Sequence, residues 1–333
     1  MLFDGLLILV LSFVPVLLYA TVLWWFDRYE KEPLGLLTAA FLWGAIPSIV
    51  LALILQIAFD APLTVVRDSS QLTYELLGAS VVAPLTEEAV KGLALLALVL
   101  LFSREIDSPV DGLIYGGLVG FGFAAVENAF YLFGGLAEGG VIGAIGLAFL
   151  RAGVFGLNHA MYTGFTGLGI ALSLETRSKP LRIAVIVLGF CLAVAAHALH
   201  NALATLATYR GFVALIVALV VDWAGVFVLL LVALGASFVE QGRISTYGRR
   251  LRQSDAITAG EVEVLTSTLQ RRLARLELLL RGDLRRWWLM RRYHQRLTEA
   301  AFAWHRLTRG DTGIRRHFEE LEQESRDLRT ELG

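Results

Sequence analysis

Apolar residues dominate seven long stretches of the chain, and polar residues collect in the short segments between them. The stretches cover about residues 5–25, 35–59, 76–102, 112–134, 145–173, 181–207 and 211–238. Each is long enough for a helix to cross about 30 Å of hydrocarbon, which takes roughly 20 residues. The apolar runs are continuous and do not alternate with polar residues, which favours helices over membrane strands. The sequence therefore predicts an all-α polytopic membrane protein, a bundle of about seven transmembrane helices.

The last part of the chain has a different character. Residues 239–333 contain 19 arginines and 14 acidic residues, whereas residues 1–238 contain 10 basic and 16 acidic ones. Leucines at intervals of three or four predict an amphipathic helix over Glu261–Leu284, and a second helix, rich in tryptophan and arginine, over about Leu284–Leu307. We therefore expect two domains, a transmembrane domain over residues 1–238 and an Arg-rich cytoplasmic helical tail over residues 239–333.

The tail admits three interpretations. A small helical hairpin in the cytoplasm is the favoured one. The alternative is a surface of arginine and tryptophan that lies on anionic lipid headgroups. We expect no nucleic-acid partner, because the acidic residues dilute the basic charge.

The charges between the spans predict an orientation, because lysine and arginine concentrate in cytoplasmic loops. The segments after the first, third and fifth spans contain Arg28, Lys31, Arg104, Arg177, Lys179 and Arg182. The segments after the second, fourth and sixth spans contain Arg67 and Arg210. We therefore expect the N-terminus outside and the tail in the cytoplasm. The first span is not expected to be a cleaved signal, because its short flank carries Asp4 and no basic residue.

The composition excludes several classes of protein. The residues AVILMFWYC make up 56% of the chain, only 18% of it is charged, and the mean hydropathy is +0.64. Soluble domains contain about 45–50% apolar and about 25% charged residues. The single Cys191 can form no internal disulfide. A disordered chain, a disulfide scaffold and a soluble cytosolic enzyme are thereby excluded.

Ionisable and amide side chains within the predicted spans indicate a functional site, because a charge at that depth is costly unless it is paired or solvated. The polar residues of the third to seventh spans are Glu87, Glu88, Lys91, Glu127, Asn128, Arg151, His159, His197, His200, Asn201 and Asp222. At about 1.5 Å of rise per residue, the acidic residues and the histidines at 159 and 197 fall within roughly 6 Å of one plane near mid-membrane. The shared depth predicts that they form one site.

Helical spacing places the three charged residues of the third span close to one another. Lys91 lies one turn after Glu87 and Glu88 and can reach either carboxylate. The two glutamates point about 100° apart, so one can face a cavity while the other takes a structural partner. Pro84 should kink or break the helix just before the pair, because it cannot donate a backbone hydrogen bond. Small residues in the fourth span predict close packing against another helix: Gly112, Gly116 and Gly120.

These side chains suit the activation of water. A buried glutamate can act as a general base, and a histidine can stabilise an oxyanion or protonate a leaving amine. A structural ion pair with Lys91 would account for only one of the two adjacent glutamates. The candidate catalytic residues are Glu87, Glu88, Glu127, His159 and His197, and their expected charge partners are Lys91, Asn128 and Asn201.

A bound metal is the alternative way to activate water. Two histidines and a carboxylate make an acceptable open zinc site, so His159 and His197 are the candidate ligands. No H-E-x-x-H pattern occurs on any span, so the ligands would have to converge from separate helices. The residues therefore leave a glutamate mechanism without metal and a zinc-dependent mechanism both open.

Several motifs, in this order along the chain, carry a family resemblance. They are "DRYEKEP" after the first span, Glu87-Glu88-x-x-Lys91, Phe123-x-x-x-Glu127-Asn128, His159 followed by Tyr162, and His197-x-x-x-Asn201. Together they resemble the PrsW family of intramembrane proteases, which is distantly similar to the CAAX-prenyl-protease and Abi membrane peptidases. The resemblance covers the seven spans and does not extend to the tail.

The resemblance implies an intramembrane endopeptidase that hydrolyses peptide bonds of membrane-anchored proteins, with the paired glutamates and the histidines at its site. It also implies a membrane-anchored protein substrate, an anti-sigma factor being the best-known one, cut in a bacterial stress response. Members of this family are labelled metallopeptidases, whereas the Abi group has been argued to use glutamate without metal. The resemblance therefore leaves the metal question open.

Two other functions are compatible with the same residues. Glutamate, histidine and aspartate in mid-membrane also form the proton relays of coupled transporters. Such transporters often contain internal repeats or paired broken helices, and we find neither pattern in this sequence. The second alternative is a non-catalytic membrane scaffold whose tail recruits partners.

Overall fold

The computed structural model describes residues 2–27, 29, 31–102, 105–106 and 108–333. The described residues form helices joined by short connections. Arg28 and Glu30 of the "DRYEKEP" motif and Arg104 of the predicted charge asymmetry lie outside the described residues.

Nine α-helices begin before the tail within the described part of the chain, and the last of them continues into it. They are α1 (Leu2–Phe26), α2 (Leu34–Trp43), α3 (Ile49–Arg67), α4 (Gln71–Leu77), α5 (Ala83–Phe102), α6 (Pro109–Ala148), α7 (Asn158–Glu175), α8 (Lys179–Arg210) and α9 (Phe212–Gln253). Short π-helical segments lie between α2 and α3, between α4 and α5, and after α6: Gly44–Ser48, Gly78–Val82 and Phe149–Val154.

Apolar helices of membrane-spanning length confirm the predicted fold class. Among the described residues, five helical segments are long and apolar enough to cross a bilayer: Phe3–Phe26, Leu34–Arg67, Pro109–Glu175, Lys179–Arg210 and Phe212–Gln253. The helix pair α4 and α5 also overlaps a predicted span, but Glu87, Glu88 and Lys91 make it less apolar. The protein is therefore an all-α, multi-pass membrane protein.

The fifth predicted span, 145–173, is not one continuous helix. The chain reverses inside α6 at Gly140, which has a positive φ of 62°. The part of α6 after Gly140 packs back on the part before it, where Gly143 lies against Gly135. The returning segment is interrupted before α7 begins at Asn158, since Phe155 has non-helical angles of φ −106° and ψ 12°. An apolarity pattern cannot reveal this interruption, because the residues around it are themselves apolar.

Pro84 disturbs its helix as predicted, and the disturbance takes the form of a π-helical turn. The backbone N–H of Ala83 donates to the carbonyl of Gly78, five residues back. The carbonyl of Ala79 would then pair with the nitrogen of Pro84, which carries no hydrogen. π-Helical turns of this kind are frequent at functional sites.

The glycine stripe of α6 packs directly against α7, which confirms the prediction of close packing. A Cβ added to Gly112, Gly116 or Gly120 would lie 2.3, 2.6 or 2.2 Å from a backbone oxygen of α7. At Gly120 that oxygen is the carbonyl of His159. The stripe thus sets how closely the two helices approach and where the backbone of His159 lies.

The described chain divides into two compact units. One comprises Met1–Phe26 with Glu32–Ala233, and the other comprises Asp27–Lys31 with Leu234–Gly333. The second unit contains the end of α9 and the helices α10 (Ala259–Thr266), α11 (Thr268–Leu280), α12 (Leu284–Thr308) and α13 (Arg315–Leu332).

The tail is more elaborate than the expected hairpin. The predicted helix Glu261–Leu284 is two helices, because the extended backbone of Ser267 (φ −110°, ψ 113°) ends α10. The Ser267 side chain accepts a hydrogen bond from the Gln270 N–H at the start of α11. Helix α13 was not predicted. Its phenylalanine and leucines join a core with residues of α9, α10 and α12: Ile244, Tyr247, Leu265, Leu289, Tyr293, Leu297, Phe302, Phe318, Leu321 and Leu328.

A buried arginine links the segments of this second unit. Arg271 donates to the carbonyl of Leu265 at 2.8 Å, to the carbonyl of Tyr29 at 3.1 Å and to Thr298 Oγ1 at 2.9 Å. These bonds hold the short segment after α1 against α11 and α12. On the face of α11 opposite Arg271, most leucines of the predicted stripe are exposed.

The substitution Gly120→Ala should destabilise the membrane unit. The added Cβ meets the backbone carbonyl of His159, and overpacking of this kind typically costs about 1–3 kcal/mol. The matched control is Gly134→Ala, on the same helix, where a Cβ meets nothing within 4 Å. We expect this control to be neutral or stabilising by roughly 0.5–1 kcal/mol, since alanine is the better helix former. Denaturant titration of the detergent-solubilised chain measures both, and equal effects would contradict the packing role of the stripe.

Candidate functional site

Four helices of the membrane unit converge on one cavity of about 410 Å³. Side chains from α5, α6, α7 and α8 meet there, together with residues of α3 and of the interrupted segment before α7. The polar side chains that line the cavity are Gln56, Glu87, Glu127, Asn128, Arg151, Asn158, His159, Tyr162, His197, His200, Asn201 and Thr205. Of the residues that the sequence placed at one depth, Glu87, Glu127, His159 and His197 line this cavity, whereas Glu88 and Asp222 do not.

The two adjacent glutamates have different surroundings. Glu87 lines the cavity, where its Oε1 accepts a hydrogen bond from Gln56 at 3.2 Å. Glu88 is fully buried beside it. Its Oε1 accepts from Lys91 Nζ at 2.8 Å, and its Oε2 accepts from Thr163 Oγ1 at 3.0 Å. Only Glu87 of the pair therefore reaches the open space of the cavity.

Lys91 connects the glutamates to α7. Its Nζ lies 2.8 Å from Glu88 Oε1, 3.4 Å from Glu87 Oε2 and 3.0 Å from His159 Nδ1. The ammonium group also lies 3.9 Å from the centre of the Phe123 ring. The buried charge is thus compensated by two carboxylates, an imidazole nitrogen and an aromatic face.

These contacts determine the tautomers of both histidines. Lysine can only donate, so Nδ1 of His159 accepts, and its Nε2 carries the hydrogen that it donates to Glu127 Oε2 at 2.8 Å. In His197 the opposite nitrogen is protonated, because Nδ1 lies 3.1 Å from Glu88 Oε1. The lone pair of His197 Nε2 then points toward Glu87 Oε2, which is 3.8 Å away.

Glu127 belongs to a second ion pair at the edge of the cavity. Arg151 donates from Nη2 to Glu127 Oε2 at 2.6 Å and from Nε to Asn128 Oδ1 at 3.0 Å. The guanidinium also lies 3.7 Å from the centre of the Tyr131 ring. The expected charge partner Asn128 therefore acts on the arginine, and the glutamate in turn orients His159.

A third polar group lies at the interrupted end of α7. Asp222 of α9 accepts from Asn158 Nδ2 at 2.9 Å and lies 2.6 Å from His200 Nδ1. From the sequence, Asp222 could pair with Arg151 or with residues of the site, and in the structure it pairs with Asn158 and His200. His200 lines the cavity, and its ring is held by the aspartate.

Asn201 has a backbone partner instead of a charged one. Its Nδ2 donates to the carbonyl of Ala79 at 2.8 Å. This is the carbonyl that Pro84 leaves without a helical partner. The expectation that Asn201 serves the charged cluster is therefore replaced by a backbone role, in which α8 stabilises the π-helical turn just before the glutamate pair.

Three residues form a group with the donors that a metal requires. Glu87, His159 and His197 each offer one ligand atom, and these atoms lie within 4.8 Å of one another. Each histidine is also bonded through its other nitrogen to a carboxylate, Glu127 or Glu88, as is usual for metal-ligating histidines. The donor set therefore fits zinc, although the His159 Nδ1 lone pair is engaged by the ammonium of Lys91 in this structure.

Sequence reasoning missed several residues of the site. Gln56 and Asn158 are amide residues within predicted spans, and a search for every amide in all seven spans would have found both. Thr163 gave no signal, because threonine is unremarkable in a helix. Tyr162 was noted only as part of a motif, and its ring stacks on His197 with centroids 4.6 Å apart.

Comparison with known proteins identifies the family. The profile described as PrsW family intramembrane metalloprotease matches residues 32–236. The chain is 34% identical over 123 residues to Protease PrsW of Clostridioides difficile (strain 630), which covers 37% of this chain and 49% of that protein. It is 32% identical over 150 residues to Protease PrsW of Geobacillus kaustophilus (strain HTA426), covering 42% and 55%.

The profile match includes the residues of the charged network around the cavity. The chain spans about half the length of the curated relatives that it matches. No solved structure matches it. The profile match covers α2 to α8 and most of the apolar part of α9, and it leaves the tail unmatched. The chain belongs to the PrsW family of intramembrane metalloproteases.

Proposed function

We propose that this protein is an endopeptidase that hydrolyses peptide bonds of membrane-anchored proteins at the cavity between α5, α6, α7 and α8. The observation that carries the proposal is the convergence of Glu87, Glu127, His159 and His197 on that cavity. Glu88 is buried beside the cavity and lies 3.1 Å from His197 Nδ1. Family membership favours a peptidase over a transporter or a scaffold. The curated relatives carry the name Protease PrsW, which supports the same activity.

We assign the activation of water to Glu87. Its carboxylate is the one of the adjacent pair that lines the cavity, and Gln56 fixes it from one side. The carboxylate takes a proton from water as the oxygen attacks the peptide carbonyl carbon. It then returns the proton to the leaving amine when the carbon–nitrogen bond breaks, as general acid–base catalysis requires.

The surrounding residues position the reacting groups. Glu88 holds His197, and Glu127 and Lys91 hold His159, so that both rings have fixed orientations. The Tyr162 hydroxyl is buried and has no hydrogen-bond partner among the described residues. We assign it the donation of a hydrogen bond to the oxyanion that forms on the substrate.

Zinc fits the same residues. Glu87, His159 and His197 would hold it, with Glu88 and Glu127 behind the two histidines. A bound zinc ion would supply a Lewis acid that polarises water or a carbonyl group. Under this assignment Glu87 would serve as a ligand, and the activation of water would pass from it to the metal. The lone pair of His159 Nδ1, which lies 3.0 Å from the Lys91 Nζ, would also be needed for the metal.

We also propose a cellular setting, the inner (cytoplasmic) membrane of a bacterial cell, which the family resemblance supports. The charges between the spans support an N-terminus outside and a cytoplasmic tail. The substrate we propose is a membrane-anchored protein, with an anti-sigma factor as the first example to test. Cleavage within the membrane unit requires that the substrate reach a cavity lined by α5 to α8.

Glu87→Gln should abolish cleavage without unfolding the bundle. Glutamine keeps the shape but cannot accept the proton of water, and loss of a general base costs about 10²–10⁴ in rate. The measurement is cleavage of tagged single-span membrane proteins co-reconstituted with the purified chain. The matched control is Glu138→Gln, an exposed glutamate of α6, which should cleave normally. Full activity of the Glu87 variant would contradict the mechanism.

Tyr162→Phe should reduce turnover by about 10²–10³, the usual effect of losing one oxyanion donor. The hydroxyl makes no hydrogen bond to the described residues, so its removal should leave the unfolding transition unchanged. The same cleavage assay measures turnover, and denaturant titration measures stability. A change in stability without a change in turnover would assign the hydroxyl a structural role.

Elemental analysis tests the zinc assignment. We expect about one zinc per purified chain, lost in His197→Ala and retained in His200→Ala, because only the first histidine belongs to the ligand group. Zinc content is measured by mass spectrometry of the metal and does not depend on activity. Equal zinc in the two variants would contradict the proposed ligands.

A further inference from the structure

The second unit exposes an apolar helix face that its own core does not cover. Leu269, Leu273, Leu276 and Leu280 of α11 are 65%, 49%, 48% and 80% exposed. Arg271, on the opposite face of the same helix, is only 2% exposed. The helix is therefore amphipathic with its apolar side turned outward, the reverse of a helix that packs on a core.

The exposed surface continues onto the start of α12. Leu284 is 65% exposed and Trp288 is 49% exposed, and the guanidinium of Arg292 lies 4.7 Å from the centre of the tryptophan ring. Leucine and tryptophan beside arginine are typical of helices that lie in the membrane interface. Tryptophan in particular is enriched at headgroup level.

A cationic cleft lies beside this apolar face. It has a volume of about 60 Å³ and is lined by Tyr29, Lys31, Arg271, Arg272, Arg275, Arg291, His294 and Gln295. Among the described residues no carboxylate lines it, and Asp27 is the acidic neighbour of Lys31. The undescribed Arg28 and Glu30 of the same segment carry opposite formal charges. The cleft therefore brings several cationic side chains close together.

Two further observations indicate an anionic ligand. The Nδ1 atom of His294 is buried and has no hydrogen-bond partner among the described residues, although the ring lines the cleft. Burial and the charges of Arg271 and Arg275 lower the pKa of His294 to about 3. The ring is therefore neutral at pH 7 and can offer one N–H to an oxygen. Burial, with Arg291 and Arg272 nearby, also lowers the pKa of Arg275.

Chain connectivity limits the distance between Lys31 and the end of the first membrane helix. Lys31 lies five residues after Phe26, where α1 ends. Five residues span at most about 18 Å. The segment is fixed to the cleft, since the carbonyls of Tyr29 and Lys31 accept from Arg271 at 3.1 Å and from Gln295 at 3.5 Å.

We propose that α11 lies in the membrane interface, with its leucine face against the acyl chains and the phosphate of an anionic phospholipid bound in the arginine cleft. Arg272, Arg275 and Arg291 pair with the phosphate oxygens, and His294 donates to one of them. Charge complementarity and the exposed apolar face identify the occupant as an anionic lipid surface. This interfacial position of α11 does not depend on any peptidase activity.

Fluorescence quenching tests the position of the helix in full-length protein. The chain carries Cys191→Ser and one new cysteine, Leu273→Cys, labelled with a fluorophore, in nanodiscs of 70% phosphatidylcholine and 30% phosphatidylglycerol. A lipid with a nitroxide near its headgroup should quench this label at least threefold more than a label at Glu320→Cys on α13. Equal quenching at the two positions would overturn the proposal that α11 lies in the membrane interface.

Arginine modification tests the cleft. Phenylglyoxal should modify Arg272, Arg275 and Arg291 at least fivefold more slowly in the phosphatidylglycerol nanodiscs than in pure phosphatidylcholine, as read by mass spectrometry. The double variant Arg275→Gln/Arg291→Gln should remove the protection of Arg272. The matched control Arg281→Gln/Arg285→Gln changes two arginines at exposed positions and should keep it.

The remaining outcomes are also decisive. Equal modification in both lipid mixtures would overturn the proposal. Protection by millimolar inorganic phosphate, without protection by phosphatidylglycerol, would overturn the lipid assignment and identify a site for a soluble phosphate. If the double variant fails to fold, arginine modification of the unaltered protein in the two lipid mixtures still tests whether the cleft binds an anionic lipid.

Discussion

The buried ammonium group of Lys91 imposes the constraint on which the membrane unit depends. It is inaccessible to solvent, and removing a charge from water costs several kcal/mol unless partners compensate for it. The partners come from three helices: Glu87 and Glu88 on its own helix, His159 on α7, and the ring of Phe123 on α6. Because all of them must face one point, α5, α6 and α7 have fixed positions relative to one another at the level of the cavity.

The convergence of the charged residues could be predicted because it follows from simple geometry. Helical rise predicted the shared depth of Glu87, Glu127 and His159. Angular spacing predicted that one glutamate of the adjacent pair faces a cavity while the other takes a structural partner. The glycine stripe of α6 was recognisable for the same reason, since residues four apart lie on one face. The catalytic roles of these residues stay predictions, because geometry alone does not measure a rate.

Other features could not be read from the pattern because they depend on tertiary partners. The interruption at Phe155 lies in a sequence as apolar as its neighbours, so hydropathy gave no sign of it. Asn201 looked like a charge partner, but the nearest unsatisfied group is the Ala79 carbonyl, which only the three-dimensional arrangement brings beside it. The leucine stripe of α11 was correctly predicted to be helical, yet the sequence could not tell whether it faces a protein core or its surroundings.

The membership of Asp27–Lys31 in the second unit has a consequence for biosynthesis. Tyr29 and Arg271 are hydrogen-bonded although 242 positions separate them. At about 5–20 residues per second, a ribosome needs roughly 12–50 s to make that length of chain. The short connection behind the first helix must therefore wait, without its final partner, while every later membrane helix is inserted. Completion of the second unit is consequently a late event that reports that the whole polypeptide has been made.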